Sequence, residues 1–204
     1  MDRRKLALAL ANVSGAFFVS CLAYGSFLRF WRAHGEWRLS HLLLLFQLVL
    51  AAFFFIARQA PTAVSWHPWD VFTALLATFA PSFFSLESKT ATKIGGLILQ
   101  IIGNGLSIYA VASLGRAIGI LPANRKIQTG GMYRVVRHPL YLSYQLANLG
   151  YFLNHPGIYN VAVALLCLLS QILRIFREER FLEHDPRYAE YKQRVRWRLI
   201  PFVF

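Results

Sequence analysis

The chain has 204 residues, 56% of them hydrophobic, a positive mean hydropathy and a formal net charge of +13. A soluble domain of that size would need more polar residues to cover its surface, and there is no room for a separate soluble domain of usual length. Lys and Arg cluster at the ends of apolar runs, as expected of bilayer-flanking segments facing anionic headgroups. No basic face is interleaved with stacking aromatics, so nucleic acid is not an expected partner.

The start, Met1-Asp2-Arg3-Arg4-Lys5, resembles the basic region of a secretory signal. The apolar stretch that follows runs to about Phe30 without a small-x-small cleavage site, which predicts a retained first helix. Six spans are predicted, at about 6–28, 41–57, 69–86, 94–114, 139–154 and 157–176. Pro81 should kink the third span or end it early. Gly95, Gly96, Gly103 and Gly105 in the fourth suit close helix packing better than a dinucleotide loop, because no strand-turn-helix context follows. The fifth opens at Pro139 and stops at Asn154-His155-Pro156-Gly157. At roughly 24 Å it falls short of the hydrocarbon core, so it starts in the interface or forms a tight hairpin with the sixth. Beyond the sixth, 178–198 mixes acids, bases and aromatics, is broken by Pro186, and suits a helical tail along the membrane surface ending at Ile200-Pro201-Phe202. The expected fold is therefore all-α and integral to the membrane. It divides into four N-terminal spans (1–114) and a core of loop, two-helix hairpin and amphipathic tail (115–204).

With six spans, both termini share a side with the loops at 58 and at 116–137, and that side holds 17 of the 22 Lys and Arg residues. The asymmetry predicts a multi-pass protein with both termini in the cytoplasm. The short basic chain with its Arg-rich start fits a prokaryotic inner membrane.

Cys21 and Cys167 lie in apolar runs and read as small buried hydrophobes. His34, His41, His67, His155 and His184 show no metal-ligand spacing, so no metal is expected. No nucleophile elbow is present. None of the nine acidic residues falls between Ser88 and Arg177, which sets off Glu178-Glu179 at the end of the last apolar helix. Arg174 lies one turn earlier on the face of Glu178. Spacing alone allows either an ordinary interfacial ion-paired helix end or a polar site at membrane depth. A second cluster, Gly130 to Tyr141, places Arg137-His138 before a proline that can open a helix. That is suited to an anion at the helix N-terminus, or equally to a basic loop reaching phospholipid.

The two clusters together, GGMYRVVRHPLYLSY and then RIFREERFLEHDPRYAEYKQRVRWRLIP, resemble the C-terminal core of the isoprenylcysteine carboxyl methyltransferase family. The resemblance covers about the last third of the chain. It implies a membrane methyltransferase using S-adenosylmethionine, bound between helices and tail, with a lipophilic acceptor drawn from the membrane lipids around it. By that resemblance Tyr133, Val136, Arg137, His138, Tyr141, Glu178 and Glu179 would hold the cofactor. Arg174 would face the acceptor, a carboxylate in the namesake family, and would form the catalytic pair with Glu178. Phospholipid amines and thiols are alternative acceptors, and a non-catalytic membrane binding or assembly factor is a rival reading. Ser143 stands where family members commonly carry Gly, which predicts an altered pocket shape. Methyl transfer from a sulfonium needs alignment and exclusion of water more than a general base, so the lack of an obvious base is compatible with it.

Overall fold

The computed structural model describes residues 3–32, 39–57, 61, 63–85, 93–117, 119–125 and 127–204. His34, Arg38, Arg58, Lys89, Lys126 and the end of the 69–86 expectation lie outside these residues. Among the described residues the chain is mostly helical. The helices are α1 (Arg3–Arg32), α2 (Leu39–Ala57), α3 (Pro68–Phe79), α4 (Ile94–Leu114), α5 (Pro139–Asn154), α6 (Ile158–Leu182) and α7 (Pro186–Arg194). Short 3-10 turns cover Ala80–Phe83, Gly115–Ala117 and Gly131–Arg134.

The fold is not purely helical: β1 (Ala63–Val64) pairs antiparallel with β2 (Ala123–Asn124), and Ser65 N–H donates to Pro122 O at 2.9 Å. This clasp joins the loop before α3 to the loop before α5. The third segment ends early, one of the two outcomes expected of Pro81. α3 ends at Phe79, because Pro81 lacks the N–H a continuing helix needs, and the chain tightens into the Ala80–Phe83 turn. Twelve residues rise about 18 Å, less than a hydrocarbon core. By length and apolarity α4 and α6 are the two described helices able to cross a membrane, and α1 and α2 contribute shorter apolar stretches.

The helices are apolar outside and polar inside. On α4 the buried positions are Gly96, Gln100, Gly103, Asn104, Ser107 and Ala110, while Ile98, Ile101, Ile102 and Ile108 are exposed. α6 buries Asn160, Ser170, Gln171 and Arg174 and exposes Leu165, Leu169, Leu173 and Phe176. Water would penalise that arrangement, whereas hydrocarbon surroundings favour it because polar groups then find partners only within the protein.

α1 packs on α2, α3 on α6, and α4 on α5. The α4–α5 seam is made by small residues. A Cβ on Gly103 would lie 2.6 Å from Ala147 N, one on Gly96 2.6 Å from Asn154 Oδ1, and one on Gly150 2.7 Å from Gln100 N. At the far end of this seam Ser40 Oγ donates to Gln100 Oε1 (2.6 Å) and Gln100 Nε2 to Ser40 O (3.0 Å). Asn154 Nδ2 reaches Gln100 Oε1 (3.2 Å) and Asn160 Nδ2 donates to His155 O (2.7 Å). This network closes the bundle at the α5–α6 turn. The site opens at the opposite end.

Replacing Gly150 or Gly103 with Leu forces backbones apart and is expected to destabilise the protein by about 1–3 kcal/mol or more. Gly105→Leu, where nothing lies within 4 Å, should leave stability near that of the parent. Unfolding midpoints of the detergent-purified variants check both.

Candidate active site

Gly130 and Gly131 let the chain turn sharply beneath the end of α4. Gly131 has φ +57°, and a Cβ there would press on the Ser113 side chain. The Gly131–Arg134 turn then delivers Arg137 and His138, which lie outside helix and strand. Their N–H groups donate to Trp197 O and Arg198 O, both at 2.9 Å. Pro139 follows at the first position of α5, where its missing N–H costs nothing. The tail is shaped by Asp185, which caps α7 by accepting from Arg187 N at 3.0 Å, with Pro186 opening the helix. Beyond α7 the chain folds back, and Arg198 N and Leu199 N donate to Phe204 O.

Glu179 is the hub. Arg137 Nε donates to its Oε1 at 2.7 Å and Nη2 to its Oε2 at 3.2 Å. His138 Nε2 lies 3.1 Å from Oε1, and Arg198 Nε donates to Oε2 at 2.9 Å. Arg137 Nη1 completes its set by donating to Val195 O and Arg196 O, both at 2.8 Å. Arg137 is 5% and Glu179 2% exposed, so Arg137 is not a loop cation reaching for headgroups. The anion near the start of α5 is the protein's own carboxylate.

Glu178, one residue earlier, faces a different space. It accepts the Tyr141 hydroxyl and lines a cavity of about 180 Å³ between α2, α3, α5, α6 and α7. α5 presents Tyr141, Tyr144 and Asn148 to it, and α6 presents Gln171, Arg174 and Glu178, each set at helical spacing along one face. The outer end carries Tyr133, Tyr188 and Tyr191, and the inner end Leu44, Leu48 and Pro81. The Arg174 guanidinium stands 4.8 Å over the Tyr141 ring, which stacks on His138 with centroids 5.3 Å apart. Arg174 Nη1 donates to Thr78 Oγ1 (3.2 Å) and Nη2 to Ile120 O (2.6 Å), while its Nε is buried without a partner. Beside it, Arg177 pairs with Asp70 and donates to His67 Nδ1 at 2.9 Å, tying the start of α3 to α6.

Electrostatically the outer end carries, among the described residues, a carboxylate with no ion-pair partner, Glu178, and a set of neutral phenols. Burial, reinforced by Glu178, pushes the Tyr133 hydroxyl well above its usual value, and burial with Glu179 and Glu178 does the same for Tyr188. Both stay protonated, and the Tyr188 hydroxyl is buried with no partner. Tyr191 donates to Tyr133 O at 2.7 Å.

The structure therefore brings Tyr133, Arg137, His138, Tyr141, Arg174 and Glu178 to one cavity. Glu179 sits behind it in the ion cluster, and Val136, though buried, does not line it. Ser143 does not line it either. It is fully buried toward α4 and its hydroxyl donates to Leu140 O at 2.7 Å, so its effect on pocket shape is remote. Sequence reasoning missed Thr78, Tyr144, Asn148, Gln171, Tyr188 and Tyr191. Gln171 and Asn148 carried a usable signal: each is a polar residue inside an apolar helix, three to seven positions from a residue already singled out.

Glu179→Gln leaves the buried Arg137 without a full counter-charge and is expected to cost about 3–5 kcal/mol of stability. Glu178→Gln, at the cavity wall, should cost less than about 1 kcal/mol. Denaturant unfolding of the two variants side by side separates the structural carboxylate from the available one.

No curated protein matches the chain. Residues 91–188, just under half of it, match the model of the phospholipid methyltransferase family. That stretch begins earlier than the resemblance to the isoprenylcysteine enzymes, taking in α4, and holds both Arg137-His138 and Glu178-Glu179. The two families belong to one superfamily of integral-membrane methyltransferases. The match supports a membrane methyltransferase, and the family it names is the phospholipid one.

Proposed function

We propose that the protein transfers a methyl group from S-adenosylmethionine to the amine of a membrane phospholipid. The observation that carries this reading is the single cavity running from the charged and phenolic end into apolar helices. A polar donor and a lipid acceptor could meet there without leaving the bilayer.

The residues at the outer end fit the donor. Glu178 accepts one hydroxyl and keeps lone pairs for a ribose diol or an ammonium. The unpartnered Tyr188 hydroxyl is a further hydrogen-bonding group, and tyrosine rings suit a cationic sulfonium. When bound, S-adenosylmethionine supplies a methyl group already activated on sulfur. The chain's own task is then alignment and desolvation. Arg174, fixed by Thr78 and Ile120 O, offers its Nε to the acceptor's phosphate. An ammonium acceptor must shed a proton before it can attack. Tyr141 can pass it on, its oxygen taking the proton while its own hydroxyl hydrogen moves to Glu178.

An amine is favoured over a carboxylate by where the charges lie. At the charged end Arg137 is taken by Glu179 and two carbonyls, while Glu178 has no cationic partner among the described residues. The unpartnered Arg174 Nε lies a helical turn deeper, where a phosphate beyond the amine would reach it. In this reading α1 to α6 are the crossings, with α3 and α5 short, and the charged mouth lies at the cytoplasmic boundary assigned by the Lys and Arg asymmetry.

Purified protein given labelled S-adenosylmethionine and phosphatidylethanolamine is expected to yield methylated lipid. Glu178→Ala should weaken donor binding at least about tenfold without lowering the unfolding midpoint. Tyr141→Phe should lower kcat about a hundredfold and leave donor affinity within a few-fold. A folded protein that binds no donor would end the proposal.

A further inference from the structure

Below Arg174 the cavity continues to two carboxamides, Asn148 on α5 and Gln171 on α6. They are 3% and 1% exposed. Asn148 Oδ1 and Gln171 Nε2 are buried without a hydrogen-bond partner. Elsewhere in the bundle Gln100 is paired with Ser40, Asn154 with Gln100 and Asn160 with His155 O, while Asn104 on α4 donates to Gln100 O and leaves its Oδ1 unpartnered. Asn148 and Gln171 differ from Asn104 in lining the cavity, beside Leu44, Gln47 and Leu48, and two incompletely satisfied amides there need an explanation. A bound ligand carrying neutral hydrogen-bonding groups supplies one.

The spacing narrows the chemistry. Gln171 lies one helical turn, about 5 Å, inward from Arg174. In a glycerophospholipid the path from phosphorus to an ester carbonyl carbon is about five bonds, roughly 6 Å at just over 1 Å of reach per bond. A phosphate held at Arg174 Nε thus brings the ester carbonyls to the level of Asn148 and Gln171. A carboxamide is uncharged and tolerable at that depth; Gln171 Nε2 can donate to a carbonyl oxygen as it stands, and Asn148 does so once its amide is turned over to present Nδ2 in place of Oδ1. Along one face α6 then reads Glu178, Arg174, Gln171, in the order cationic headgroup, phosphate, ester.

We propose that Asn148 and Gln171 form a neutral subsite that binds the ester linkages of the acceptor and makes the enzyme selective for diacyl lipids over their ether analogues. This rests on the phospholipid-amine reading above and adds residues and a selectivity to it. An ether oxygen is a much poorer acceptor than an ester carbonyl, so losing that contact leaves both amides unpaired.

The full-length protein in detergent micelles is given labelled S-adenosylmethionine and either diester or diether phosphatidylethanolamine with matched chains. The parent is expected to favour the diester by about tenfold or more in kcat/KM. Gln171→Leu and Asn148→Leu should each bring that ratio to within about threefold of unity, with donor affinity retained. Gln171→Met, which keeps side-chain length, serves if the leucine variant does not fold. Equal use of the two lipids by the parent overturns the inference, as do variants that lower both rates and leave the ratio unchanged. Failure to methylate either lipid while donor binds overturns instead the phospholipid-amine reading on which the inference stands.

Discussion

Glu179, with the two arginines and the imidazole around it, is the constraint on which the rest of the site depends. A carboxylate at 2% exposure is tolerable only if its charge and lone pairs are met, and Arg137, His138 and Arg198 meet them from two separate stretches of chain. The ion cluster fixes three things at once: the entry of α5, the fold-back of the tail, and the rotation of α6. Successive helical residues are about 100° apart. Once Glu179 is turned into the cluster, Glu178 is turned toward the cavity, and Arg174 and Gln171 follow on its face. The structural carboxylate thereby aims the one that is free to bind.

The bundle around that cluster solves a second problem. Its polar groups have no external partner in hydrocarbon and must be met inside, as Ser40, Gln100 and Asn154 show at one end. The small residues at 96, 103, 147 and 150 bring α4 and α5 close enough for such short contacts. A tightly closed end beneath the α5–α6 turn leaves the looser packing, and hence the cavity, toward α7. The cavity takes Leu44, Gln47 and Thr78 from the first 114 residues as readily as Tyr141 and Glu178 from the rest.

Much of this was legible in the sequence, for identifiable reasons. Proline marks boundaries without help from tertiary structure, so Pro139 and Pro186 open α5 and α7 where expected, and Pro81 ends a helix early. The scarcity of acids set off Glu178-Glu179, whereas their association with Arg137-His138 came from the family resemblance and not from spacing or charge. What sequence could not separate was the work of two adjacent glutamates. Both carry the same charge, and only the rotation of α6 assigns one to the cluster and the other to the cavity. The β1–β2 clasp was invisible because two-residue strands have no periodicity. The roles of Tyr188 and Tyr191 depend on the tail folding back across the mouth, whereas an amphipathic pattern alone suggested a helix lying on the surface.

The tail also explains how so small a chain can hold a polar site at a membrane boundary. The irregular stretch at 137–138 has no helix or strand partner for its N–H groups, and Trp197 O and Arg198 O take that part. The same tail residues close the Arg137 guanidinium through Val195 O and Arg196 O and bring Arg198 to Glu179. The family match ends at residue 188, before any of these contacts. The segment that holds the charged end together is thus one whose main contributions are backbone carbonyls, which almost any sequence can supply. Its identity is constrained chiefly at Arg198 and at the apolar residues that seat the fold-back, while its geometry is constrained throughout.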